Sequence, residues 1–247
     1  MKRVNWQIIL GISLVVLSVI MYGIHYLIFR DVYHILIYLV GDIAFVPIEV
    51  LMVTLIIHRL LSDREKKAML KKLNMVIGAF FSEVGLKLIP SFARFDHKSD
   101  EIKKDLSQMK NWTDADFKKA SFFIDNYEFH IDSNLGDLKS LRDFLSSRRN
   151  FLLRLLENPN LLEHETFTEL LWAVFHLTEE LEYRSNLDKL PHSDLEHISG
   201  DIKRVYVLLL SRWIDYVMHL KDNYPYLYSL AVRTNPLDEE ASPIVGN

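Results

Sequence analysis

An all-α protein is predicted: an N-terminal transmembrane helical hairpin followed by an irregular cytoplasmic helical bundle. Three observations predict it. The 26 residues from Val4 to Phe29 carry no formal charge. A second apolar run extends from Val32 to Ile57, interrupted only by Gly41, Asp42, Pro47 and Glu49. Beyond residue 61, prolines at 90, 159, 191, 225, 236 and 243 separate segments whose apolar residues recur with helical period, and no strand-period segment competes.

The first run is long enough to cross the ~30 Å hydrocarbon core, for which about 20 helical residues suffice. Lys2 and Arg3 would also suit a secretory signal, but the apolar stretch is too long for one. Moreover, Met21-Tyr22-Gly23-Ile24-His25-Tyr26 is a poor cleavage site. The expected helices cover about 4–29 and 32–58, turning near residues 30–31, so the hairpin occupies 1–61. Arg59, Arg64, Lys66, Lys67, Lys71 and Lys72 follow the second run, while the connection carries one Arg. The positive-inside rule then puts both termini in the cytoplasm. Those six basic side chains are expected at the lipid headgroups, the usual juxtamembrane arrangement.

Asp42 and Glu49 lie seven residues apart, on one helix face. An intramembrane Asp costs on the order of 2.5–3.5 kcal/mol on insertion scales, so it should face protein or water. A turn at 30–31 sets Ser18 opposite Asp42 and Gly11 opposite Glu49 or Val50. Gly11, Ser18 and His25 repeat by seven as a small or polar seam on the first helix. Two readings are open. The carboxylates fix helix packing within the hairpin, with a variant in which 32–40 is interfacial; or the hairpins oligomerise and rings of Asp42 and Glu49 line an ion path. Pro47 should kink the helix between them in either case.

Residues 62–236 read as the cytoplasmic domain. Ser62-Asp63 can cap a helix to about Leu88, unless the second membrane helix continues. Its Leu70, Leu73, Ile77, Phe80 and Val84 form a short seam, either a dimer interface or the first face of a bundle. Residues 95–111 are charged and weakly apolar and read as a solvated helix or linker. Thr113-Asp114-Ala115-Asp116 starts a helix carrying Phe117, Ala120, Phe123, Ile124 and Tyr127. Asn134–Asp137 opens the next, with Leu138, Leu141, Leu145, Leu152 and Leu155, stopped at Asn158-Pro159. A helix over 163–184 buries Phe167, Leu170, Leu171, Val174 and Leu181. The last long helix begins after Pro191 with Ser193 as cap and Glu196 three residues on, and runs to about Asp222. A short helix over 226–232 precedes an acidic tail, 237–247, expected to be mobile.

Composition narrows the chemistry. With 0 Cys there is no disulfide, thiolate zinc site, iron–sulfur cluster or cysteine nucleophile. The 8 Gly are too dispersed for a dinucleotide-binding or phosphate-loop fingerprint. A net charge of −4 argues against a nucleic-acid binder. His176 with Glu179 and Glu180 has spacing that can share a metal. On a helical wheel, however, His176 lies away from the apolar arc and the paired Glu-x-x-His signature is missing. Glu169, Trp172, His176 and Glu180 therefore read as a solvated stripe or an interaction patch, and neither metal nor cofactor is expected. On the last long helix, Ile198, Ile202, Val205, Leu209 and Tyr216 form the apolar arc, with Asp194, Asp201, Arg212, Asp215 and His219 at its margin. Arg212, Asp215 and His219 have the spacing of helix pairs. They either dock neighbouring helices or form a polar pocket in which Asp215 orients His219 as a general base.

Five segments carry a resemblance: Leu171–Glu180, Gly200–Arg204, Asp222–Leu227, Arg233–Pro236, and Val40–Phe45 in the hairpin. They resemble an uncharacterised prokaryotic family of two-helix membrane proteins with a helical cytoplasmic domain. The resemblance spans most of the chain and implies a setting, the inner membrane of a prokaryotic cell, without assigning catalytic residues. The function expected is a membrane-anchored scaffold or sensor module acting by protein–protein contact. Its expected partners are membrane lipid and a protein or second copy of the chain, without nucleic acid. The alternatives are an oligomeric channel or ion-coupled component using Asp42 and Glu49, and, third, a hydrolase domain.

Overall fold

The computed structural model describes residues 6–159, 161 and 164–245, and within these it leaves the side chains of Gln7 and residues 66–72 undescribed. Lys2, Arg3 and the first two residues of the expected 4–29 helix lie outside the described residues. So do the side chains of Lys66, Lys67, Leu70, Lys71 and Lys72. Every extended element is helical among the described residues, and a lone antiparallel bridge joins Asp96 to Ile131. The chain divides into two compact units, Met1–Lys67 and Ala68–Asn247.

The first unit contains α1 (Trp6–Phe29) and the beginning of α2 (Val32–Phe80). Arg30 adopts a left-handed φ of 50°, and its N–H still donates to the Tyr26 carbonyl. Asp31 then accepts from the N–H groups of Tyr33 and His34 at 2.9 and 3.2 Å, capping α2. This stop-and-cap pair makes the turn where the sequence places it. Ile8–Phe29 and Val32–Glu65 are long and apolar enough to cross a membrane by length and composition. Their large apolar side chains are exposed around the whole circumference, as at Leu17, Val19, Leu27, Val40 and Leu60.

The second helix takes the continuous course that the sequence left open beside a stop at 58. It neither stops at 58 nor restarts at a Ser62-Asp63 cap, and it stays helical through Gly41 and Pro47 to Phe80. A π-helical turn, Phe81–Gly85, leads into α3 (Leu86–Ala93). Leu73–Ala93 is also apolar enough for a span, but nearly half of it is buried inside the second unit. Leu73, Ile77, Phe80 and Val84 belong to that core, so the short seam is a bundle face.

The second unit is built around α8 (His192–Asn223), which packs against α3, α5 (Asp114–Asn126), α7 (Glu165–Tyr183) and α9 (Pro225–Arg233), while α6 (Leu138–Leu156) packs on α7. The apolar residues expected in α6 and α7 are all buried, each contributing roughly 1.5–3 kcal/mol by removal from water. Thr113 and Asp116 form the expected capping box. Two expectations fail here. Residues 95–111 do hold a helix, α4 (Ser99–Leu106), but it is not solvated as expected: it buries Ile102 and Leu106, and Phe95 and Met109 are buried beside it. Four apolar residues are buried despite the surrounding charge, Ile102 and Leu106 one turn apart on α4 and Phe95 and Met109 in the segments that flank it. Ser193 does not cap α8 either; the helix starts one residue earlier, at His192, with Pro191 fixing the extended entry.

The segment expected as a mobile tail starts with an anchored residue, Leu237, at 2% exposure. Buried Asn235 secures it: its amide donates to the carbonyls of Leu106 and Ser107 at the end of α4, and its oxygen accepts from the Leu237 N–H. Lys103 pairs with Glu239, and Arg233 donates to the Pro243 carbonyl.

Candidate functional site

The helical pairing of α7 and α8 brings four chemistry-bearing side chains together. His176 and Glu180 stand one turn apart on α7, and His197 and Asp201 repeat that spacing on α8. The Nε2 atoms of His176 and His197 lie 3.6 and 3.4 Å from Asp201 Oδ2. Glu180 is 3.9 Å from His176 and 3.5 Å from His197 through its two oxygens. The histidines are about half exposed, whereas Asp201 is buried at 3%. Its two oxygens differ: Oδ1 accepts from Arg204 at 2.8 Å, while buried Oδ2 has no hydrogen-bond partner.

An Arg-centred clamp borders this cluster. Arg184, just past the end of α7, makes a two-pronged contact with Asp194 of α8 at 2.7 and 2.8 Å and reaches Glu180 at 2.6 Å. The guanidinium beside them holds the Glu180 and Asp194 carboxyls below the ordinary carboxylate range. Glu180 is thereby fixed as a carboxylate next to two imidazoles.

The expected patch is thus split. Glu169 and Trp172 stay on the exposed face of α7, with Trp172 edge-on to Phe175. His176 and Glu180 are drawn into the α7–α8 cluster. Sequence reasoning placed Asp201 at the margin of the α8 arc and did not single out His197. The signal that could have found them is the repeated His-x-x-x-acid spacing, His176/Glu180 and His197/Asp201, on two helices.

The expected polar pocket does not assemble as a base pair. Arg212 does meet Asp215 at 3.1 Å and ties α8 to the start of α7 through the Thr166 hydroxyl at 2.8 Å. His219 turns elsewhere: its Nδ1 lies 3.3 and 3.2 Å from the amide nitrogens of Asn74 and Asn223, and burial pushes its pKa down. Asn amide donors leave Nδ1 as an acceptor, so Asp215 does not orient this ring. A separate shallow cavity of about 530 Å³ is lined by His97, His130, His192, Ser133, Ser199 and Lys203 among others. Both its serine hydroxyls donate to the Leu195 carbonyl, so neither is paired with a histidine as an activated nucleophile.

In the hairpin, the Tyr22 hydroxyl donates to Asp42 at 3.4 Å, so Tyr22 and not Ser18 is the partner, one helical turn off the expected register. A side chain at Gly11 would meet nothing within 4 Å, so the small-residue seam is not used for close packing. His25 stacks obliquely on Phe29. Glu49 is exposed, and no hydrogen bond or ion pair reaches it among the described residues. Arg59 and Arg64 are exposed on α2.

Two families match the chain. One, described as MJ1433, N-terminal helical domain, matches residues 2–61; the other, described as Uncharacterized protein MJ1433, C-terminal helical domain, matches residues 69–233. The chain is 48% identical over 241 residues to the uncharacterized protein MJ1433 of Methanocaldococcus jannaschii, covering 98% of this chain and 97% of that one. No solved structure matches.

Proposed function

The chain belongs to the MJ1433 family, with its N-terminal and C-terminal helical domains, and from that premise we propose that it is an integral membrane protein presenting a cytoplasmic helical module that works by contact with other proteins. The observation that carries this reading is the exposure of apolar side chains all round α1 and the first part of α2. A helix apolar on every face is stable only inside a protein or a bilayer. The 22 residues Ile8–Phe29 rise about 33 Å at 1.5 Å per residue, matching the ~30 Å hydrocarbon core. Basic residues beyond the second span and the lone Arg of the turn favour cytoplasmic termini.

Antiparallel spans of that length set Asp42 and Tyr22 near mid-membrane. The Tyr22–Asp42 hydrogen bond then favours a carboxyl satisfied within the hairpin, fixing its packing, over one lining an ion path. On the cytoplasmic side, the exposed Trp172 with Glu169, bordering the His176–Asp201 cluster, is the face available to a partner.

Alkaline carbonate extraction tests the anchor. The full chain is expected to stay with the membrane pellet, and a chain lacking residues 1–61 to move to the supernatant. Release of the full chain by carbonate would overturn the reading.

A further inference from the structure

We propose that His176, His197 and Asp201 form a binding site for a divalent first-row transition-metal ion of the zinc type, with Glu180 as a neighbouring fourth group. The site stands independently of the membrane anchor and of any protein partner.

Distance is the first argument. The Nε2–Oδ2 separations of 3.6 and 3.4 Å lie beyond the usual nitrogen–oxygen range of about 2.7–3.2 Å, and Oδ2 accepts no hydrogen bond from either ring. They do suit the edges of a coordination shell: two ligand atoms each about 2.05 Å from zinc at the tetrahedral angle lie about 3.3 Å apart. All three ligand atoms fall within 4.8 Å of one another, so small side-chain adjustments bring them onto one ion.

Burial is the second. Asp201 is 3% exposed and its Oδ2 is orphaned, directed at the two imidazoles. A buried carboxylate oxygen without a hydrogen-bond partner carries the full desolvation penalty of that group. Arg204 holds Oδ1, so Oδ2 is the oxygen left for coordination. A metal ion supplies the missing partner.

The third argument is the scaffold and the donor set. Two packed helices present the ligands, each with one-turn spacing, which positions side chains more firmly than loops do. Arg184, clamped by Asp194, fixes Glu180 beside the ligands in the manner of an outer-shell orienting group. Two imidazoles and a carboxylate suit zinc, iron, cobalt or nickel ions better than calcium or magnesium. Three protein ligands beside half-exposed histidines leave coordination positions facing solvent, the pattern of a site that binds an exchangeable ligand.

The test uses the full chain, purified in detergent without a polyhistidine tag and stripped with chelator. Calorimetric titration with Zn²⁺ is expected to give one site per chain, and Co²⁺ to develop the visible absorption of a low-symmetry nitrogen–oxygen site. His197→Ala and Asp201→Asn should each weaken Zn²⁺ binding by more than about 100-fold, beyond the loss expected for an outer-shell change. His176→Gln, at an exposed position, should do the same with the helical circular dichroism unchanged, which separates ligand loss from misfolding. His192→Ala, on α8 with His197 but 85% exposed and paired among the described residues with Glu196, should bind like the parent. No Zn²⁺ binding by the parent chain, or equal affinity in the parent and His176→Gln proteins, would overturn the proposal.

Discussion

Phe167→Ala should lower the stability of the helical unit by about 3–5 kcal/mol, the range for emptying a large aromatic site in a closed core. Phe167 is fully buried at the start of α7, and its ring meets that of Phe80 edge-on at 5.4 Å between centroids. Truncation removes the transfer energy of the ring together with the edge-to-face contact, and leaves a cavity between α2 and α7. Phe167→Leu keeps most of the volume and should cost about 1–1.5 kcal/mol. Urea unfolding of the detergent-solubilised chain, followed by near-ultraviolet circular dichroism of the tryptophans that include buried Trp213, gives the comparison. A loss below 1 kcal/mol for the alanine variant would mean that the site collapses freely or is not closed.

Arg184→Ala is the second large effect, expected at about 2–3 kcal/mol. That figure lies between the 0.2–1 kcal/mol of exposed ion pairs and the 3–5 kcal/mol of fully buried ones. Arg184 is 16% exposed, and its partners Glu180 and Asp194 are 27% and 30% exposed. The guanidinium links the end of α7 to the first turn of α8 across Leu187–Lys189, so its removal strands two carboxylates near one another. Arg184→Lys retains the charge but not the planar fork that grips both Asp194 oxygens, so it should recover less than half of the loss. The same unfolding midpoints check this; full recovery by lysine would reduce the clamp to a simple charge effect.

These two residues also mark what could be read from the chain and what could not. Phe167 falls on a regular apolar stripe with Leu170, Leu171, Val174 and Leu181, and burial follows from periodicity within one helix. The same holds for α6 and for the capping box at Thr113. Arg184 and the His176–His197–Asp201 cluster depend on how two helices meet, across separations of up to 25 residues. A wheel drawn for one helix puts His176 on the polar side and cannot say that α8 brings Asp201 beneath it. The 95–111 segment was obscured differently. Its four buried apolar residues are diluted by Lys98, Asp100, Glu101, Lys103, Lys104 and Asp105, so average polarity hid them. In the hairpin, the turn at Arg30-Asp31 was legible, but the register was not, because the long reach of Tyr22 replaces the expected Ser18 opposite Asp42.

Absence of cysteine from the chain makes its topology directly measurable. Single Tyr33→Cys and Lys139→Cys variants, at an exposed residue beside the interhelical turn and an exposed residue of α6, can be treated with a membrane-impermeant maleimide on intact cells and after lysis. Labelling of the first variant on intact cells, and of the second only after lysis, is the predicted result. Labelling of the Lys139→Cys protein on intact cells would contradict a cytoplasmic helical module.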